Sequence, residues 1–242
     1  MAVLIGTAGW SLPRAEQEHF PAAGSHLDRY GARFAAAEIN SSFHRSHRAA
    51  TWTRWRDSVP ESFRFSVKMP KSITHTAGLK AADDLVAKFL EEVAVLGSKL
   101  GCLLVQLPPK LAFDAAVARD FLQALRARTS VAIACEPRHA SWFDVAADQL
   151  LQSCEVARVA ADPARVPAGA VPGGWRGISY YRLHGAPKVY YSSYPREFIS
   201  ELAERVKEDI EGGRREVWVI FDNTTIGAAT RNALDLAADL NA

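Results

Sequence analysis

The chain has 242 residues, with 29 Lys and Arg against 27 Asp and Glu and a formal net charge of +2. Its hydrophobic content of 48% and charged content of 23% are ordinary for a soluble globular protein, and the near balance of charge is not the footprint of a dedicated nucleic-acid binder. No run approaches the roughly 18 apolar residues of a membrane span, MAVLIGTAGW lacks the basic n-region of a signal peptide, and Cys102, Cys135 and Cys154 form no CxxC pair. Buried free thiols and a cytoplasmic location are therefore expected.

Taken in order, the elements alternate. Val3 to Gly6 reads as a strand, Leu27 to Phe34 as a short helix, and Ala35 to Asn40 as a second strand. Ala49, Trp52, Trp55 and Val59 recur at helical spacing between Arg48 and Val59, and Phe63 to Lys68 is a third strand closed by Pro70. Leu85, Phe89, Val93 and Leu96 mark a helix over Ala81 to Leu96, before the strand Cys102 to Leu107. Asp114 caps a helix to Arg128, Val131 to Cys135 is the fifth strand, Ser141 or Asp144 caps a helix to Ser153, and Val156 to Ala160 is the sixth strand. Asp162 to Gly177 is rich in Pro and Gly and carries no helical pattern. Ser179 to Leu183, the helix Pro195 to Glu211, the strand Glu216 to Phe221 and the helix Gly227 to Leu240 complete the chain. Strand and helix in alternation imply parallel pairing with right-handed crossovers. Eight strands, with no Gly-rich dinucleotide loop after the first, favour a closed barrel over an open doubly wound sheet. The expectation is an α/β protein, one TIM-type (β/α) barrel domain over 1–242, whose connection between strands six and seven lacks a regular helix.

Seven apolar runs end in charged or amide side chains: Glu38 and Asn40, Lys68, Gln106, Glu136 with Arg138 and His139, Asp162, Arg182 with His184, and Asn223. In a parallel barrel all carboxyl ends of the strands meet at one mouth, where chemistry is built. The period of two places Lys68, Glu136, Arg182 and His184 on the small or polar face that points inward, while Phe65, Val67, Ile133 and Leu183 face the helices.

IGTAGW, EINSSF, FRFSVKMP with ITH after it, LLVQLPP, EPRHASW, YYRLHG and the FDNT–GAATRNAL ending, in this order from Ile5 to about Leu234, resemble the DUF72 family, also called YecE-like proteins. The resemblance implies a TIM-type barrel and nominates positions, but it names no reaction. A likeness of that family to metal-dependent barrel nucleases such as endonuclease IV has been suggested. The chain departs from the family pattern at His44, where a Tyr commonly follows the Phe, at Pro137, and at Asp222, which replaces an Asn.

The residue types favour an enzyme of hydrolase, isomerase or lyase type working on a small anionic, sugar-like or phosphorylated substrate. Glu136 and Glu38 are candidate acid and base with His184 assisting, and Lys68, Arg138, His139, Arg182, Asn223, Asn40 and Gln106 are candidate substrate or anion contacts. Glu136, Asp162 and His184 are also the residue types that hold a divalent metal. The loops after strands seven and eight, with Thr224, Thr225 and Gly227 leading into the last helix, suit a phosphate, although Thr224 or Thr225 can equally cap that helix. Tyr190, Tyr191 and Tyr194 can wall the mouth. A Schiff base at Lys68 is chemically open, but a carboxylate such as Glu38 or Glu136 nearby would keep it charged. The alternatives are a nucleic-acid-binding or endonuclease IV-like protein, using Arg45 to Arg56 with its interleaved Trp52 and Trp55, and a non-catalytic binding barrel.

Overall fold

The structure is a computed structural model that describes residues 2–241; Met1 and Ala242 lie outside the described residues. Six parallel strands follow one another through neighbouring positions: β1 (Ala2–Ala8), β2 (Ala36–Ile39), β3 (Arg64–Lys68), β4 (Leu100–Gln106), β5 (Ala132–Glu136) and β6 (Val156–Arg158). The sixth strand is broken at Val159 and continues as β7 (Ala160–Asp162). β6 pairs with β5, whereas β7 pairs with β9 (Ile178–Leu183), so the break hands the sheet on to its last members. β9 pairs with β10 (Glu216–Phe221) and β10 with β1, which closes the barrel. A two-residue strand, β8 (Gly173–Gly174), lies antiparallel on β6 and directs Trp175 towards the apolar residues inside the barrel.

The helices are α1 (His26–Gly31), α2 (Ala49–Asp57), α3 (Asp83–Val93), α4 (Ala115–Arg128), α5 (Val145–Ser153), α6 (Arg196–Glu211) and α7 (Ala228–Leu240). The expected boundaries agree to within a few residues. Asp114 caps α4, accepting from the backbone N–H groups of Ala116 and Val117, and Asp144 stands at the start of α5. Ser25 and Asp28 exchange side-chain and backbone bonds in a capping box at α1, which the sequence reading did not single out. The connection after the sixth strand holds only the 3₁₀ turn Pro167–Ala170 and β8, and no α-helix. The three cysteines are free and buried.

Two apolar layers follow from the alternation along each strand. Phe65, Val67, Ile133, Cys135, Tyr181, Leu183, Val217 and Val219 pack outward against the helices. Leu4, Ala36, Leu104, Ala134, Tyr180, Trp218 and Ile220 fill the lumen. Tyr180 and Trp218 stack inside it with centroids 5.9 Å apart. The wall is tight where β1 meets β2: a Cβ at Gly6 would lie 1.9 Å from the carbonyl oxygen of Ala36, so a side chain there would push the two strands apart. Above this apolar filling, towards the carboxyl ends, the lumen turns polar.

Candidate active site at the barrel mouth

The polar layer is organised by Arg182. Strand β9 points its side chain into the lumen, where it has no exposure to solvent. Its Nε donates to Glu38 Oε2 at 2.9 Å and its Nη2 to Glu38 Oε1 at 2.7 Å, a bidentate pair. Nη1 reaches Glu136 Oε2 at 3.2 Å, and Nη2 lies 3.0 Å from Asp222 Oδ2. Burial opposes the charge of this guanidinium, but Asp222, Glu38 and Glu136 hold its pKa well above the ordinary arginine value.

Glu136, at the end of β5, is equally enclosed. Gln106 Nε2 donates to its Oε2 at 3.1 Å, and Arg138 Nη2 lies 2.5 Å from Oε1. Burial works against its ionisation, yet Arg182, His184 and Arg138 keep its pKa well below the usual carboxylate range. His184 sits between two acids, with Nε2 3.0 Å from Glu136 Oε1 and Nδ1 3.0 Å from Asp222 Oδ2. Arg138 Nη2 also lies 3.0 Å from Nε2, so two acids and a guanidinium enclose the ring. The pKa of Asp222 is likewise lowered: burial raises it, and Arg182, His184 and Lys68 outweigh that.

Above this network lies a cavity of about 480 Å³, bounded by Asn40, Phe43, His44, Lys68, Lys71, His75, Gln106, Tyr190, Asp222, Thr224 and Thr225. Only one carboxylate, Asp222, borders it. Lys68 is 7% exposed, and its ammonium stands over the Phe43 ring, 4.2 Å from the centroid. Burial, and Arg182 next, lower the Lys68 pKa to about 8. The pKa of His75 is lowered by partial burial and then by Lys68, Lys71, Lys110 and Arg138, so cations converge on this rim.

The sequence candidates divide between floor, rim and elsewhere. Lys68, Gln106 and Asn40 border the cavity, and the Asn40 Oδ1 is buried without a partner. Glu136, Arg138, Arg182 and His184 are gathered into the network beneath. Glu38 lies deepest: it has no exposure, both its oxygens are held by Arg182, and Tyr180 OH donates to Oε2 at 3.1 Å. Nor does it pair with Lys68. His139 turns its Nδ1 to its own chain, accepting from Ser141 N–H at 3.2 Å, and so caps the 3₁₀ turn Ala140–Phe143 instead of meeting a ligand. Asn223 donates to the Ser192 carbonyl and to Asn232 Oδ1, which fastens the loop after β9 to α7.

The metal set does not assemble. Asp162 lies one residue out of phase with the inward face of its strand, and its Oδ1 accepts from Tyr194 OH at 2.8 Å. Among the described residues no group of three His, Cys, Asp or Glu side chains could hold a metal ion. Tyr194 is thereby a buried strut that also accepts from Gly185 N–H, not part of a stacking wall. Tyr190 does border the cavity, edge-on to His184 with centroids 5.7 Å apart.

Thr224 and Thr225 border the cavity and do not cap α7, which is preceded by Gly227 at φ +85° with no side-chain cap bond. Trp52 is buried and Trp55 packs edge-on to Trp52 and Trp10, so neither ring is free to stack on a base. Asp222 is the residue the sequence reading undervalued. Its place directly after Phe221 at a strand end is the signal in the sequence.

The family model described as "Protein of unknown function DUF72" matches residues 4–242. UPF0759 protein YecE of Escherichia coli K12 is 31% identical over 106 residues, which span 44% of this chain and 38% of that relative. The chain thus matches well under half the length of these curated relatives. A DUF72 family protein from Thermotoga maritima superimposes with a TM-score of 0.82 at 23% identity, covering 100% of both chains. Another from Enterococcus faecalis gives 0.82 at 24%, covering 99% of this chain and 96% of that one. No helix among the described residues is long and apolar enough to cross a membrane.

Proposed function

Because the chain belongs to the DUF72 family and carries a cation-rimmed cavity over its barrel mouth, we propose that it is an enzyme acting by acid–base chemistry on a small anionic substrate. The observation that carries this reading is the imbalance around the cavity. Lys68 and Lys71 border it against the single carboxylate of Asp222, which already faces Arg182 and His184. A cleft lined by one sign of charge concentrates ligands of the other. The free hydroxyls of Thr224 and Thr225 and the exposed ammonium of Lys71 suit a phosphate or carboxylate group. Asp222 is then the base at the cavity floor. His184 and Arg182 hold its orientation, and Glu136 on the far side of the imidazole fixes the ring in turn.

Calorimetric titration with inorganic phosphate, followed by short sugar phosphates and carboxylates, tests the reading. Saturable binding that weakens in Lys71→Ala and in high salt is expected. No binding of any small anion at low salt overturns it. Tight binding of a single-stranded oligonucleotide, falling steeply with salt, would instead favour the nucleic-acid reading; the packed Trp52 and Trp55 speak against that outcome. A nuclease-like metal mechanism finds no support in the donor set, because Asp162 faces Tyr194.

A further inference from the structure

The chain buries two lysines in contrasting ways. Lys99, 7% exposed, donates to the carbonyl oxygens of Arg56 and Val59, each at 2.7 Å, and lies 3.8 Å from Glu61. This is how a structural lysine is accommodated, with its protons satisfied. Lys68 is 7% exposed too, yet among the described residues its ammonium has no hydrogen-bond acceptor and no carboxylate within 4.0 Å. The nearby acids are spent elsewhere: Glu38 on Arg182, Glu136 on Arg182, Arg138 and His184, and Asp222 on Arg182 and His184. Its one described partner is the face of Phe43, and it borders the mouth cavity.

We propose that Lys68 is a nucleophilic amine that forms an imine with the carbonyl carbon of a small anionic aldehyde or ketone seated in the mouth cavity. The inference rests on the anion-binding reading of that cavity and narrows its substrate class. The lone pair of the unprotonated amine adds to the carbonyl carbon, and the π pair moves to oxygen, which takes up a proton. The nitrogen gives up its two protons as the oxygen leaves as water and the C=N bond forms, so no oxidant or reductant is needed. Asp222 and His75 border the same cavity and are placed to relay those protons. Protonation of the imine nitrogen then makes the neighbouring carbon acidic, which gives a base such as Asp222 something to do. A lysine pKa of about 8 leaves a working fraction of free amine at neutral pH, where an ordinary lysine leaves almost none.

Pyridoxal 5′-phosphate, a carbonyl compound that carries a phosphate, is the probe. The full chain is incubated with it, reduced with borohydride to lock any imine as a secondary amine, and mapped by peptide mass spectrometry. The expected result is one predominant label, on Lys68, that rises with pH around 8 and is suppressed by inorganic phosphate. Lys68→Arg and Lys68→Met should both abolish it while melting as folded proteins. Labelling spread over exposed lysines such as Lys71 and Lys88, with Lys68 unmodified or no faster than these, overturns the inference. Phosphate titration of the same preparation separates the two readings. Phosphate binding with Lys68 unlabelled sinks the imine alone. Absence of phosphate binding sinks the anion reading, and labelling by unphosphorylated pyridoxal then decides the imine on its own.

Discussion

Replacing Glu38 by Gln removes one charge from a guanidinium–carboxylate pair closed off from solvent on both sides, since Glu38 and Arg182 are each 0% exposed. Three donors converge on the carboxylate: Arg182 Nε, Arg182 Nη2 and Tyr180 OH. A glutamine offers one oxygen and turns an N–H₂ group towards at least one of these donors. Breaking a buried pair by removing one partner costs about 3–5 kcal/mol. Glu136 and Asp222 remain beside Arg182, so the lower end applies, and about 3 kcal/mol in a chain of this size lowers the melting temperature by about 6–12 °C. Urea and thermal unfolding read the loss, and phosphate affinity in native buffer should stay within a few-fold of wild type. A Glu38→Gln protein that melts as wild type but has lost binding or turnover would refute the argument and restore Glu38 as an acid or base.

Asp222→Asn should do the reverse, with a smaller loss of stability and a large loss of any turnover found, because it alters the one acid that borders the cavity. The same change should move the pH profile of Lys68 labelling downward, since Asp222 is among the charges that favour the lysine cation. Lys68→Met tests the lysine through linkage. The folded pKa of about 8 lies below the ordinary lysine value of 10.5, so between these values the unfolded chain binds more protons and wild-type stability gains with rising pH. Unfolding free energies of wild type minus variant should therefore climb from pH 8 to pH 10, and a flat difference would show an unperturbed lysine. Tyr194→Phe strips a hydroxyl from Gly185 N–H and from Asp162 Oδ1, each at 2.8 Å. A loss of about 1–3 kcal/mol follows from leaving those groups unpaired, with weaker ligand binding as the Tyr190 loop loosens; unchanged stability in urea would show that water satisfies both.

Which face of each strand points inward was legible because the alternation is short-range physics. Phe65 and Val67 against Ser66 and Lys68 can be sorted by period alone. Partner choice within the lumen was not. Tyr180 and Arg182 on β9 lie more than a hundred residues from Ser66 and Glu38, and no local pattern says that Arg182 takes Glu38 bidentately and leaves Lys68 alone. Val156 and Ala160 pack outward and Ala157 and Val159 inward, so the period of two carries through Val159 and turns the Asp162 carboxylate outward to Tyr194. Asn223 and His139 show that a polar residue at a strand end serves loop fastening and capping as readily as chemistry.

Charge bookkeeping beneath the mouth connects the two readings of the site. Glu38, Glu136 and Asp222 face Arg138 and Arg182, His184 stands between Glu136 and Asp222, and Lys68 touches none of the acids. Holding the acids on guanidiniums, whose protons do not leave near neutral pH, keeps them from fixing the proton on the lysine. An anion pressed directly against Lys68 would undo this, since a negative charge at contact distance raises an amine pKa. The anionic group of a substrate is therefore better held on Lys71, Thr224 and Thr225, with its carbonyl turned to Lys68. That division of labour selects molecules in which the charge and the carbonyl lie apart. Lys71, Thr224 and Thr225 border the same cavity as the buried amine that stands over the Phe43 ring.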